Sequence, residues 1–177
     1  MITTTKERAL GARRGRARPI YLDHNATTPV RPEVLAAMLP VLRNVYANPN
    51  SVHAPGQRAR KLVEAAREQV ALLIGARAEE IVFTSCGSES DSFALAGAAQ
   101  AAFERSGGKL RHLVTSAIEH EAVLGSCRAL AARGFAWDRV GVDAVARVSL
   151  EGVAAALREE TALVSVMFAN NEVGTLQ

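Results

Sequence analysis

Cysteine is scarce in this chain: among 177 residues there are two, Cys86 and Cys127, far apart and in no CxxC spacing. That excludes a disulfide framework and a zinc ribbon, and it points to a reducing compartment, with a cytoplasmic location expected. Aromatic residues make up 5% of the sequence. None forms a stacking platform beside the basic N-terminus, so nucleic acid is not an expected partner. No apolar run approaches the ~18–20 residues of a membrane-spanning helix, because the longest stretches are alanine-rich and broken by Arg, Glu or Gly. No membrane partner is expected, and the N-terminus lacks the apolar core of a secretory signal. Lysine is scarce too, confined to Lys6, Lys61 and Lys109.

What is present describes a globular chain. Hydrophobic residues make up 49% and charged residues 22%, enough for one domain with a sizeable core. The formal net charge of +3 is set by the first 18 residues, where Lys6, Arg8, Arg13, Arg14, Arg16 and Arg18 face one acid, Glu7. The remainder is slightly acidic. Residues 1–18 therefore read as a basic tail, expected to be disordered, and residues 19–177 as the folded unit.

Along the folded unit the hydrophobic period alternates. Val34, Met38, Val41, Leu42 and Val45 recur at helical spacing over 31–46, with a kink or break expected at Pro40. Loop punctuation fills 47–56, and a long helix is predicted over 57–74, with Gly75 as its C-terminal cap. Ile81–Thr84 reads as a buried strand, 88–105 as a helix and His112–Thr115 as a strand. A helix over 120–133, a weak strand over 135–140, a helix over 150–158 and a strand over 162–168 follow. Strands alternating with helices of this length predict an α/β fold, a mostly parallel sheet flanked by helices. Ligands of such sheets sit beyond the carboxyl ends of the strands.

Three of those strands end in polar loops. In the first, Thr84-Ser85-Cys86-Gly87-Ser88, small residues lead into a helix start, which favours an anion; Gly87 and Ser88 are the candidate phosphate donors, and a plain N-cap at Ser88 is the alternative. The second, Glu119-His120-Glu121, sets an imidazole between carboxyls. His120 there suits acid–base work, metal ligation, stacking on a flat cofactor, or a structural role at a helix start. In the third, Asn170-Asn171-Glu172, the amides suit either ligand binding or a turn. HExxH fails because residue 124 is Leu, and neither a P-loop nor GxSxG is present.

Taken together with Tyr21-Leu22-Asp23-His24-Asn25-Ala26-Thr27-Thr28, Asn48-Pro49-Asn50-Ser51-Val52-His53, Phe83-Thr84-Ser85-Cys86-Gly87-Ser88-Glu89-Ser90 and Asn170-Asn171-Glu172-Val173-Gly174, these loops carry a family resemblance. The chain resembles the class V aminotransferase group, specifically the cysteine desulfurases of the NifS/IscS type, over roughly residues 19–177. The resemblance implies a pyridoxal 5′-phosphate (PLP) enzyme of fold type I that takes sulfur from L-cysteine, releases alanine and leaves a persulfide on a mobile cysteine. It implies Gly87 and Ser88 at the cofactor phosphate, His120 stacked on the pyridine ring and shuttling protons, and Asn171 near the phenolic oxygen and substrate carboxylate. It also implies a homodimer and a sulfur-acceptor or scaffold protein as partners, in iron–sulfur cluster or other sulfur-compound assembly.

Two departures qualify that expectation. Cys86-Gly87-Ser88 stands where the family commonly has Gly-Ala-Thr, which keeps a hydroxyl and a backbone N–H for phosphate. The family's pyridine-ring partners, its Ser-x-His-Lys segment with the Schiff-base lysine, and its sulfur-accepting cysteine all lie beyond the region matched here. The chain is therefore expected to be an N-terminal portion, inactive alone. A selenocysteine lyase, or a non-catalytic fragment that binds a partner, is the alternative reading.

Overall fold

The computed structural model describes residues 20–177, and the basic tail lies outside the described residues. The sheet is built around β1, His112–Ser116, which pairs in parallel with β2, Ala136–Val140, on one side and with β3, Thr161–Ser165, on the other. All five β1 residues are buried. A central parallel strand is covered on both faces, which is why His112-Leu113-Val114-Thr115 is near-continuously apolar or compact.

Alternation of side chains divides the two faces. Leu113 faces the pair formed by α3, Gly87–Arg105, and α4, Glu121–Ala132; there it packs with Ala99, Cys127, Leu130 and Phe135. Phe103, Trp137 and Leu163 close the edges of this cluster. The Trp137 indole N–H donates to Thr115 Oγ1 at 3.0 Å, so its polar end is satisfied inside the packing. On the opposite face Val140 meets α5, Leu150–Ala156: a Cβ added at Gly152 would lie 2.9 Å from Val140 Cγ1. Helices therefore flank the sheet on both sides, as the alternating pattern predicts.

The N-terminal third is organised differently. α1, Pro32–Asn44, has no buried residue. It runs unbroken through Pro40, where a kink or break was expected; one missing hydrogen bond is tolerated in a helix otherwise rich in Ala, Leu and Met. α2, Ala54–Ile74, starts on His53, whose Nδ1 accepts the Gly56 N–H at 3.2 Å. It ends at Gly75, whose φ of +69° is the left-handed conformation that a terminal cap requires. The apolar stripe of α2 is not buried by the described residues: Leu73 and Ile74 are 84% and 65% exposed.

One expected strand is absent. Ile81–Thr84 is extended backbone, but among the described residues no strand pairs with it, and Val82 and Phe83 are exposed. Its β-branched and aromatic content supplies the conformation, whereas a ladder also needs a neighbouring strand. Arg67 holds the segment instead, donating to the Ile81 carbonyl and placing its guanidinium 5.1 Å from the Phe83 ring centre.

Gly56 is the tightest backbone approach. A Cβ there would lie 2.5 Å from Ser51 O and 2.8 Å from Asn48 O, both in the loop before α2. Gly56→Ala is expected to cost about 1–3 kcal/mol of local stability. The readout is amide exchange at Ser51, whose N–H donates to Asn48 O at 3.0 Å; unchanged exchange there would show that the loop yields freely.

Candidate functional site

The three polar loops meet at the carboxyl edge of the sheet. α3 and α4 lie side by side and point the same way, because Ser126 Oγ donates to Ser92 Oγ at 2.9 Å and, two turns on, Arg133 donates to Gln100 Oε1 at 3.1 Å. Their N-terminal ends therefore adjoin, with Gly87-Ser88 and His120-Glu121 each about one turn before the Ser92–Ser126 contact. The loop after β3 joins them: Asn170 Nδ2 donates to Ile118 O at 3.2 Å, and the Met167 N–H donates to Glu119 Oε1 at 2.8 Å.

At the first loop the helix begins at Gly87, with Cys86 as its N-cap, so Ser88 lies within the first turn and the N-cap alternative for Ser88 falls. Ser88 is exposed, and a Cβ on Gly87 would meet nothing within 4 Å. The loop is braced from behind: Glu89 Oε2 accepts the Ser85 N–H at 2.5 Å and the Ser85 hydroxyl at 2.6 Å, which holds the Glu89 carboxyl below the usual carboxylate range. The backbone N–H of Glu89, the Ser85 hydroxyl and the N–H of Ser88 likewise hold the Cys86 thiol below its ordinary value.

At the second loop His120 is the N-cap of α4. Its Nδ1 accepts the Ala122 N–H at 3.1 Å, which leaves the proton of the neutral ring on Nε2 and turns the ring outward. The flanking acids are not its partners. Glu119 is 7% exposed and points inward, where the Ser116 hydroxyl donates to Oε1 at 2.6 Å; Glu121 pairs with Arg128. At the third loop the two asparagines divide the alternatives between them. Asn170 is buried and builds the turn, its Oδ1 accepting the N–H groups of Glu172 at 2.9 Å and Val173 at 3.0 Å. Asn171 is exposed, and among the described residues its side chain makes one hydrogen bond, Nδ2 donating to Glu172 Oε1 at 3.0 Å.

Sequence reasoning missed Glu119 and Asn170 as organisers of this edge. The available signal was a carboxyl three residues past a small hydroxyl residue at a strand end, and a doubled Asn of which only one can face outward. The edge offers no metal cluster of His, Cys, Asp or Glu among the described residues. It offers an open helix start with a free hydroxyl, an outward imidazole and an outward amide. The Tyr21–Thr28 block lies apart in its bonding: Tyr21 Oη donates to Asp23 O at 2.7 Å, a local contact.

Comparison with known proteins assigns the class. A family model described as Aminotransferase class-V matches residues 20–177, and the chain belongs to that family. It is similar to the cysteine desulfurase of Trichormus azollae, 46% identical over 157 residues, which cover 89% of this chain and 38% of that protein. Among solved structures it resembles a NifS-like protein with a TM-score of 0.83 at 44% identity, covering 89% of this chain and 42% of the other. A structure of SspA in complex with cysteine superposes with a TM-score of 0.80 at 38% identity, covering 89% and 44%. The chain thus spans about two fifths of the length of the curated relatives it matches, corresponding to the N-terminal portion of cysteine desulfurases. The fold is that of these PLP-dependent enzymes.

The two cysteines are chemically distinct. Cys127 is fully buried, and burial, reinforced by the charge of Glu119, pushes its thiol up to about 11. Cys86 is exposed and lowered from the ordinary 9.0. Iodoacetamide is expected to modify Cys86 in the native protein, with a pH midpoint below 9.0, since the thiolate is the reacting form. Cys127 is expected to react only after unfolding. Mass spectrometry reads both, and native labelling of Cys127 would contradict the packing.

Proposed function

We propose that this chain provides the phosphate- and ring-binding edge of a PLP-dependent cysteine desulfurase. The observation that carries this reading is the convergence of Ser88, His120 and Asn171, all exposed, at one sheet edge, while their neighbours Glu89, Glu119 and Asn170 brace the loops that carry them. The residues fit the cofactor. Gly87 leaves room for a phosphate to approach the first-turn N–H groups of α3, and Ser88 adds a hydroxyl. A flat imidazole suits stacking on a pyridine ring, and an outward amide suits an oxyanion.

When bound, PLP supplies the electron sink for breaking bonds at the substrate's α- and β-carbons. This chain's own residues bind and orient. Ser88 and the α3 start fix the phosphate, and His120 bounds one ring face with the Nε2 proton directed outward. Asn171 donates its amide to a phenolic oxygen or a substrate carboxylate. The substrate is L-cysteine, which yields L-alanine as its sulfur passes to an enzyme cysteine. Buried Cys127 is unsuited to that role, and Cys86 belongs to the phosphate loop.

Neither described lysine stands in the sequence context of the family's Schiff-base lysine. Lys61 lies within α2, and Lys109 precedes β1, at the opposite edge of the sheet and more than ~13 Å away along the strand. That lysine and the sulfur-accepting cysteine belong, by the family resemblance, to the portion of the relatives not matched here. A homodimer and a sulfur-acceptor protein complete the proposal. A reducing, cytoplasmic setting accords with two free cysteines, and no helix among the described residues is long and apolar enough to cross a membrane.

Titration with PLP, followed by cofactor fluorescence, tests the assignment. PLP is expected to bind, pyridoxal without phosphate to bind far more weakly, and inorganic phosphate to compete. Ser88→Ala is expected to weaken PLP about tenfold, the scale of one hydrogen bond to a charged group. Equal binding of pyridoxal and PLP, or an unaffected Ser88→Ala variant, overturns the phosphate site.

A further inference from the structure

The β1–β3 ladder ends at the Thr115–Ser165 pair, before either strand reaches the loops that carry His120 and Asn171. Past that point the two loops are joined by side chains. Glu119 Oε1 accepts two donors at once, the Ser116 hydroxyl at 2.6 Å and the Met167 backbone N–H at 2.8 Å. Ser116 is the last residue of β1 and fully buried; Met167 lies two residues beyond β3. The 2.6 Å separation is that of a short O–H···O hydrogen bond. Adjacent residues thus face opposite ways, with Glu119 in the interior and the His120 ring outside.

We propose that Glu119 is a positioning residue, which through one buried carboxyl oxygen locks the His120 loop to the loop bearing Asn171 and so sets the spacing of those two side chains. This rests on the cofactor reading above for its functional meaning, although the coupling itself stands on the hydrogen bonds alone. Asn170 is the second half of the device. Its Nδ2 holds Ile118 O, one residue before Glu119, while its Oδ1 collects the N–H groups of Glu172 and Val173 and so shapes the turn on which Asn171 rides. The stretch from Ser165 to Asn170 is braced on its C-terminal side, where Phe168 O accepts the Gln177 N–H at 3.1 Å and the Asn170 N–H donates to Thr175 O at 2.9 Å; Glu119 adds the tie at Met167 that fixes it to the His120 loop.

The test uses nuclear magnetic resonance on this chain and PLP titration in parallel. In Glu119→Ala, Met167 amide exchange is expected to rise about tenfold or more, the scale of one hydrogen bond to a charged group. The His120 ring nitrogens and the Asn171 side-chain amide should both shift, while Leu113 and Val114 amides in the sheet stay put. Glu119→Gln keeps an oxygen for both donors and should restore the His120 and Asn171 signals and most of the PLP affinity lost in Glu119→Ala. A purely structural role would not give rescue of those two signals together. Should Glu119→Ala fail to fold, Glu119→Gln and Ser116→Ala carry the test, the latter with smaller shifts at the same two residues. If the unsubstituted chain fails to bind PLP, the cofactor reading falls while the coupling is still decided by the resonances. Movement at Met167 with unmoved His120 and Asn171, or failure of Glu119→Gln to restore them, overturns the positioning role.

Discussion

The parallel pairing of β1 with both of its neighbours is the constraint on which everything else depends. A parallel ladder cannot be closed by a tight turn, so each return to the sheet needs a crossover, here through α4 between β1 and β2 and through α5 between β2 and β3. The crossovers cover the sheet's two faces and bury β1 completely. They also collect every strand's carboxyl end on one edge, which is why loops 48 and more residues apart in the chain come to share hydrogen bonds there. Without the β1 pairings, Ser88, His120 and Asn171 would have no common frame.

At that edge the labour is divided between neighbours in sequence. Glu89 braces while Ser88 faces out, Glu119 anchors while His120 faces out, and Asn170 shapes the turn while Asn171 faces out. Each inner residue is satisfied by backbone or hydroxyl donors, as a buried or braced polar group must be. Each outer residue keeps free hydrogen-bonding capacity. The pattern follows from packing: a loop placed by its own backbone alone is soft, and a site that must hold a ring and a phosphate in fixed relation needs side chains that tie the loops to the sheet and to each other.

Much of this was legible in the sequence, and the illegible parts share a cause. His112–Ser116 and the helices ending near Gly75 and Ala132 announce themselves through local apolar period and glycine caps, which are properties of a single segment. Ile81–Thr84 has the same local signature as a strand yet forms none, because pairing requires a second segment that composition cannot supply. His120 and Asn171 were found as polar residues at strand ends. Glu119 was misread as a flank of the imidazole, because the inward or outward choice of a loop side chain is settled by donors such as the Met167 N–H, 48 residues away. Local pattern reports conformation, and long-range partners decide role.

Magnitudes argue that the edge works as a composite. One anion at a helix start gains about 0.3–1 kcal/mol, up to ~2 in partly buried geometry, whereas even a 1 mM dissociation constant corresponds to about 4 kcal/mol. The body of the chain is slightly acidic, so no diffuse positive field makes up the difference. A phosphate held by α3 alone would therefore be weakly bound. Adding the Ser88 hydroxyl, a stacked imidazole and an amide brings the sum to a useful range only if all act on one ligand at once. That condition gives the Glu119 and Asn170 ties their importance: contacts of about 1 kcal/mol each combine when the loops that offer them are held at a common spacing, and disperse when they are not.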